Sequence, residues 1–138
     1  MLGLLVVTHG RLAEELVTST QKIVGQVEGL AAVSIDWNDD MEDAARRVDE
    51  GRNSVDRGEG VLILTDMFGG TPTNLALALL EPGKVEIVTG VNLSMLIKFV
   101  NLRGHRSLLE TADSIAEEAR QAIRVASRLL RAGGGNRG

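Results

Sequence analysis

The sequence predicts an α/β protein with a doubly wound, mainly parallel four-stranded sheet in the order 2-1-3-4 and helices on both faces. Short apolar runs have the continuous Val, Ile and Leu character of strands that are buried on both faces. Helical patterns alternate with these runs, which is typical of parallel sheets. The order 2-1-3-4 is the simplest right-handed winding of four strands. The predicted strands are 2–7, 31–36, 61–65 and 85–89.

Between and after these strands the apolar residues recur at helical spacing. The predicted helices are 12–24, 41–57, 72–80, 93–102 and 107–131, the last a single long amphipathic helix. A chain of 138 residues is long enough for one domain with its own core, and we expect that domain to cover 1–132. The Gly-rich stretch 133–138 is predicted to be a flexible tail.

The composition excludes several classes of function. Hydrophobic residues make up 43% and charged residues 25%, which is ordinary for a soluble globular protein. A net charge of -4 argues against nucleic acid as a partner, and 2% aromatics leave little to stack on bases. Cysteine is absent, which excludes disulfides and thiol nucleophiles. The apolar start lacks a basic region and a cleavage site, so we expect a cytoplasmic protein.

The first candidate site residue is His9, in the turn Thr8-His9-Gly10 after the first apolar run. Ligands of doubly wound sheets bind at the carboxyl ends of the strands, where the strand order reverses. In the order 2-1-3-4 this point lies between strands 1 and 3. A lone histidine here also fits a structural role, with its ring bonded to a backbone carbonyl. The end of strand 3 favours a functional role, because it brings Asp66 to the same edge.

The stretch TDMFGGTPTNLA, residues 65–76, is more organised than a simple turn requires. Gly69 and Gly70 allow close backbone approach and positive φ. Thr71 is predicted to be the N-cap of the next helix, and Pro72 its first residue. Such a helix start offers backbone N–H groups to an anion. In the third loop, TGVNLS, Asn92 is interpreted mainly as a helix cap and secondarily as a ligand contact.

Together these loops favour phosphoryl chemistry at His9. A carboxylate that accepts one ring N–H fixes the tautomer and leaves the other nitrogen as a nucleophile. A nucleophilic imidazole beside an anion-binding loop is suited to accept and pass on a phosphoryl group. One histidine and one aspartate are too few for a metal site, and no serine stands in a GxSxG turn.

Three motifs, VVTHG, DMFGGTPTNLA and GVNLSML, resemble the IIA component of the mannose-type (mannose/fructose/sorbose) phosphoenolpyruvate-dependent sugar phosphotransferase system, the EIIA-Man family. The resemblance covers most of the chain. It implies a flavodoxin-like α/β fold and a phosphorylated histidine at His9. It also implies that Asp66 orients this histidine and that Thr71 lies near the phosphoryl group. No metal or other cofactor is implied.

The same resemblance implies the partners. His9 receives a phosphoryl group from the small carrier HPr and passes it to a IIB component, which phosphorylates a sugar entering through membrane IIC and IID proteins. Relatives form homodimers, in some cases by exchanging a carboxyl-terminal strand, for which this sequence shows no clear run after residue 131. Many relatives have Pro where this chain has Ser94. Arg11 is either a phosphoryl or partner contact or a solvated side chain.

Alternative functions stay open on the sequence. The phosphoryl-donor subunit of dihydroxyacetone kinase resembles this chain in fold and histidine position, although the GGTP segment argues against it. A regulatory IIA that signals by its phosphorylation state would use the same chemistry at His9. A flavodoxin-like mononucleotide binder is disfavoured because aromatic residues are scarce. Of the remaining residues, His105 is predicted to be a surface residue, and Trp37 is predicted to pack near the rim of the site.

Overall fold

The structure, a computed structural model, describes residues 1–134 and confirms the predicted fold class. The sheet has four parallel strands in the order β2-β1-β3-β4. Val7 of the first strand lies beside Val33 of the second and Thr65 of the third, which fixes the register. The strands are β1 (Gly3–His9), β2 (Leu30–Ile35), β3 (Val61–Thr65) and β4 (Val85–Thr89).

Helices cover both faces of this sheet and create two separate cores. Alternate residues of β1 point to opposite faces: Leu4 and Val6 join one core, Leu5 and Val7 the other. The first core is closed by residues of α1, α4 and α5, the second by residues of α2 and α3. The helices are α1 (Leu12–Val24), α2 (Met41–Val55), α3 (Thr71–Leu77), α4 (Leu93–Leu102), α5 (Leu108–Ala122) and α6 (Ala126–Gly134).

The prediction of one long helix over 107–131 is wrong. The chain forms α5 and α6 with a break between them, where Ile123 is extended with φ -87° and ψ 108°. Most helix stability in proteins comes from packing an apolar face, and that packing ends at Ala119, the last α5 residue that packs against the core. Beyond it, Ile123 and Val125 are exposed and β-branched, so neither burial nor propensity continues the helix.

Smaller differences concern the ends of elements. α2 stops at Val55 rather than at residue 57, and α3 covers Thr71–Leu77 rather than 72–80. α6 runs to Gly134, and the rest of the predicted tail, 135–138, lies outside the described residues. Within residues 1–134, no helix is both long enough and apolar enough to cross a membrane.

Candidate active site

His9 lies at the carboxyl edge of the sheet as the last residue of β1, not in the turn after the strand. The strand extends two residues further than predicted, because His9 is still in register with Ile35 of β2 and the Gly10 N–H donates to the Ile35 carbonyl over 2.8 Å. Its side chain is 29% exposed. The strand therefore fixes the His9 backbone while one side of the ring stays accessible.

Asp66 holds His9 through two hydrogen bonds to one carboxylate oxygen. Its Oδ2 accepts from the backbone N–H of His9 at 3.0 Å and lies 2.8 Å from Nδ1 of the ring. Since an ionised carboxylate only accepts, Nδ1 carries the proton in this pair. The Asp66 side chain is 14% exposed, and its Oδ1 is buried without a hydrogen-bond partner within residues 1–134. The carboxylate sets both the position and the tautomer of the ring.

Gly70 lies against the other ring nitrogen. A Cβ added to Gly70 would stand 3.2 Å from Cε1 and 3.4 Å from Nε2 of His9. Gly70 has φ +85° and Gly69 has φ +87°, a left-handed conformation that glycine adopts readily. The sequence correctly indicated that both close approach and positive φ are needed here. The absence of side chains keeps the space beside Nε2 open.

Thr71 is not the N-cap of α3, and this prediction is wrong. Gly70 occupies the N-cap position, Thr71 is the first helical residue and Pro72 the second, and no side chain within the described residues caps this helix. Only a residue with positive φ fits the turn at this point, so the threonine moves one position into the helix. Thr71 nonetheless stays directly beside Gly70, where the resemblance places it near the phosphoryl group.

Two threonines that sequence reasoning missed support this edge. The buried Thr73 hydroxyl lies 2.7 Å from Oγ1 of Thr65 and donates to the Met67 carbonyl at 2.5 Å, which ties the loop after β3 to the strand. The buried Thr8 Oγ1 accepts from the N–H of Ala13 at 2.7 Å, which ties the end of β1 to the first turn of α1. The signal for Thr8 was its position just before a predicted helix.

Asn92 and Arg11 are not brought to His9 by any contact in the described part of the chain. Asn92 caps α4, its Oδ1 accepting from the N–H of Met95 at 3.0 Å, which confirms the cap interpretation. Arg11 is exposed, and its guanidinium lies 3.7 Å from the carboxylates of Glu14 and Glu15. Both remain candidates for the site only because they follow strands at the carboxyl edge of the sheet, Arg11 after β1 and Asn92 after β4.

Trp37 contacts the His9 ring, a contact that the sequence did not predict. It lies at the rim of the site as predicted, although it is 86% exposed rather than buried there. Its ring centroid lies 5.6 Å from that of His9, with the two planes inclined by 35°. The register of β1 and β2 explains this contact, because Trp37 follows Ile35, the partner of His9. His105 is exposed, as predicted.

Fold and site together define a flavodoxin-like α/β protein with a histidine–aspartate pair where the strand order reverses. The family described as "PTS system fructose IIA component" (EIIA-man) matches residues 3–116. The chain therefore belongs to the EIIA-man family of phosphotransferase system IIA components. The match includes all three motifs that carry the resemblance in the sequence.

Individual relatives agree with this assignment. The chain is 27% identical over 131 residues to the fructose-specific EIIA component of Bacillus subtilis, covering 94% of this chain and 90% of the relative. It is 24% identical to the mannose-specific EIIAB component of Escherichia coli, covering 90% of this chain and 39% of that longer relative. The mannose/sorbose-specific IIA subunit of Enterococcus faecalis superposes with a TM-score of 0.79 at 29% identity, covering 89% and 92% of the two chains.

Proposed function

We propose that residues 1–132 form a phosphoryl-carrier domain, in which His9 accepts a phosphoryl group from phospho-HPr and passes it to a IIB component. One observation carries this proposal: Nδ1 of His9 is bound to Asp66 while Nε2 faces the open space beside Gly70. This pair has a fixed tautomer and a free nucleophilic nitrogen at an accessible edge. Sugar uptake and signalling by phosphorylation state both require this chemistry.

The transfer forms one bond and breaks one. The Nε2 lone pair of His9 attacks phosphorus, and the P–N bond of the donor histidine breaks, its electron pair returning to the donor ring. The Nδ1 proton stays in the hydrogen bond to Asp66. Delivery to the IIB component is the same step with His9 as the leaving group. Asp66 thus orients the His9 ring and stabilises the positive charge that this ring acquires.

The phosphoryl group on Nε2 would lie beside Gly69, Gly70 and Thr71. The first-turn N–H groups of a helix have no acceptor within the helix, and Pro72 has no N–H to offer. We propose that the backbone here and the Thr71 hydroxyl donate hydrogen bonds to the phosphoryl oxygens. Arg11 and Asn92 are secondary candidates, Arg11 because an exposed guanidinium is mobile enough to turn toward a dianion.

Partner docking is supported by apolar side chains that are exposed in the segments that follow β1, β2 and β3, at the edge that carries His9. A group of large apolar side chains that are exposed on one surface is typical of a protein–protein interface. We propose that HPr and the IIB component cover these residues in turn, which also excludes water from the transferring group. The residues are Leu12, Trp37, Met41, Met67 and Phe68.

A second apolar surface supports the homodimer. A cavity of about 550 Å³ runs along β4, which is an edge strand, and its lining includes Leu77, Ile87 and Leu109. Ile123, which also lines the cavity of its own chain, and Val125 are exposed in the break between α5 and α6. We propose that this segment of a second copy covers the cavity. Analytical ultracentrifugation tests this: the wild type should sediment as a dimer and Ile123→Asp as a monomer. A wild type that sediments as a monomer contradicts the proposal.

The experiment that tests the carrier function is phosphorylation with phosphoenolpyruvate, enzyme I and HPr. Intact mass should rise by one phosphoryl group, and the modification should be labile to acid, as a phosphoramidate is. His9→Ala should abolish labelling without unfolding the chain, whereas His105→Ala, the matched control, should label normally. Labelling of His9→Ala, or a phosphoryl group mapped to His105, contradicts the proposal. Adding a IIB component should then discharge the label.

A further inference from the structure

Trp37 is held beside His9 although most of its surface is in water. It is the single tryptophan of the chain, and the loop that carries it is ordered by local hydrogen bonds. The Trp37 N–H donates to Oδ1 of Asp36 at 2.8 Å, and the Asp36 N–H donates to Oδ2 of Asp39 at 2.8 Å. These bonds fix the backbone from which the indole reaches the imidazole.

The geometry of the two rings suits an electrostatic interaction. Centroids 5.6 Å apart with planes inclined by 35° are closer to an offset stack than to an edge-to-face pair. The face of an indole attracts a cation that lies within about 6 Å of its centre. A neutral imidazole gains little from this attraction, so the contact matters most when the His9 ring is charged.

The His9 ring is charged when it carries the phosphoryl group. Formation of the Nε2–P bond uses the Nε2 lone pair, while Nδ1 keeps its proton in the bond to Asp66. Both nitrogens are then substituted, and the ring bears a positive charge until the P–N bond breaks. In the unphosphorylated protein the Nε2 lone pair is free and the ring is neutral in this tautomer.

We propose that the indole of Trp37 stabilises the phosphorylated, positively charged His9 ring by a cation–π interaction, and so sets how strongly this carrier retains its phosphoryl group. The inference rests on the proposed function, since it concerns the same histidine. Asp66 acts on the ring through Nδ1, and Trp37 acts through the ring face. Together they lower the free energy of the phosphorylated state relative to the free carrier.

A role for Trp37 in docking alone predicts a different result. Contacts with HPr exist only in the transient complex, so losing them slows the approach to equilibrium and leaves the final distribution of phosphoryl groups unchanged. Stabilisation of phosphorylated His9 changes that distribution itself. The equilibrium constant for transfer from phospho-HPr to this chain therefore separates the two roles.

The test compares this equilibrium constant in four proteins: wild type, Trp37→Leu, Trp37→Phe and Phe68→Leu. Trp37→Leu keeps an apolar side chain but removes the π face, and we expect the constant to fall about two- to fivefold, the range of a cation–π contact at an exposed site. Trp37→Phe should stay closer to wild type. Phe68→Leu is the docking control: it removes an aromatic side chain that is 80% exposed on the proposed docking surface, so it should slow the approach to equilibrium and leave the constant itself unchanged.

A second measurement uses Trp37 itself as the reporter in the unaltered protein. Its fluorescence should change in proportion to the phosphorylated fraction, because the neighbouring ring becomes charged. The inference is overturned if the equilibrium constant is equal in wild type and Trp37→Leu, or if the Trp37 fluorescence does not change on phosphorylation. Either result leaves the carrier function unaffected. A wild type that takes no label at all overturns the carrier function.

Discussion

The start of α3 beside His9 differs from the starts of α2, α4 and α5. Asp40, Asn92 and Ser107 cap α2, α4 and α5, each accepting a hydrogen bond from a backbone N–H three residues later. α3 instead starts at Gly70 without a side-chain cap within the described residues. Since a side-chain cap contributes about 0.5–2 kcal/mol, α3 lacks a stabilising contact that the other three helices have.

The difference shows which helix starts contribute to the stability of the fold and which one leaves space beside His9. At α2, α4 and α5 the caps satisfy N–H groups that have no helical partner. At α3 a capping side chain would occupy the space beside Nε2 of His9, because even a Cβ on Gly70 would stand 3.4 Å from that atom. The uncapped start therefore leaves both the space and the backbone N–H groups free for the phosphoryl group that we propose is bound here.

The largest expected effect comes from Gly70→Ala. The methyl group crowds the His9 ring, and the left-handed φ strains any residue with a Cβ. Displacement of reacting groups by about 1 Å costs on the order of 100-fold in rate, and we expect the crowded ring and the strained turn together to lower the rate of phosphoryl transfer by up to about this factor. Gly104→Ala is the matched control, because Gly104 has φ +92° and open space around it.

The rate of phosphoryl transfer from phospho-HPr is measured by stopped flow on both variants, and their free energies of unfolding are measured in urea. Gly104→Ala should lose stability and keep its transfer rate. If Gly70→Ala transfers at the wild-type rate, or if both variants lose rate equally, the open space beside Gly70 has no role in the transfer.

The next effect concerns two carboxylates that each accept a backbone N–H. Asp66→Asn removes the charge that holds the His9 ring, and we expect transfer to slow about 10–100-fold, as for other groups that orient a functional histidine. Asp40→Asn changes a cap of α2, where asparagine is an equally good cap, and should alter neither rate nor stability. Transfer by Asp66→Asn at full speed would remove Asp66 from the mechanism.

A smaller effect is expected when the hydroxyl of Thr71 or of Ser107 is removed, and the two substitutions should change different properties. Ser107→Ala should lower the free energy of unfolding by about 0.5–2 kcal/mol, because the hydroxyl accepts from the N–H of Glu110 and caps α5. Thr71→Ala should leave stability nearly unchanged and shift the transfer equilibrium toward phospho-HPr. Denaturant unfolding and the equilibrium constant are measured on both proteins. A Thr71→Ala protein that loses only stability would make Thr71 a structural residue.

The smallest effect is a pH dependence at the α5 start. Hydrogen bonds from the backbone and the side chain of Ser107 lower the pKa of Glu110 below its ordinary value of 4.5. The folded state therefore gains stability from ionised Glu110 that is fully present above pH 4.5 and is lost as the pH falls through the lower folded value. The stability difference between wild type and Glu110→Gln should shrink between pH 7 and pH 3; a constant difference contradicts this.

The strands and the pairing of His9 with Asp66 could be predicted because both follow from a strong signal. Continuous apolar runs mark buried parallel strands, and the carboxyl ends of neighbouring strands meet at one edge. The break at Ile123 could not be predicted, since helical spacing continues through it and only the loss of packing ends the helix. The Trp37 contact depends on strand register, which no local pattern specifies.

We propose above all that the phosphoryl group resides on Nε2 of His9, because Nδ1 is occupied by Asp66. Phosphorus–nitrogen couplings in the phosphorylated protein, labelled with ¹⁵N in its histidines, test this most directly. We predict phosphorus coupled to Nε2 of His9 and a protonated Nδ1. Phosphorus on Nδ1, or on any residue other than His9, would contradict this assignment of the phosphorylated atom.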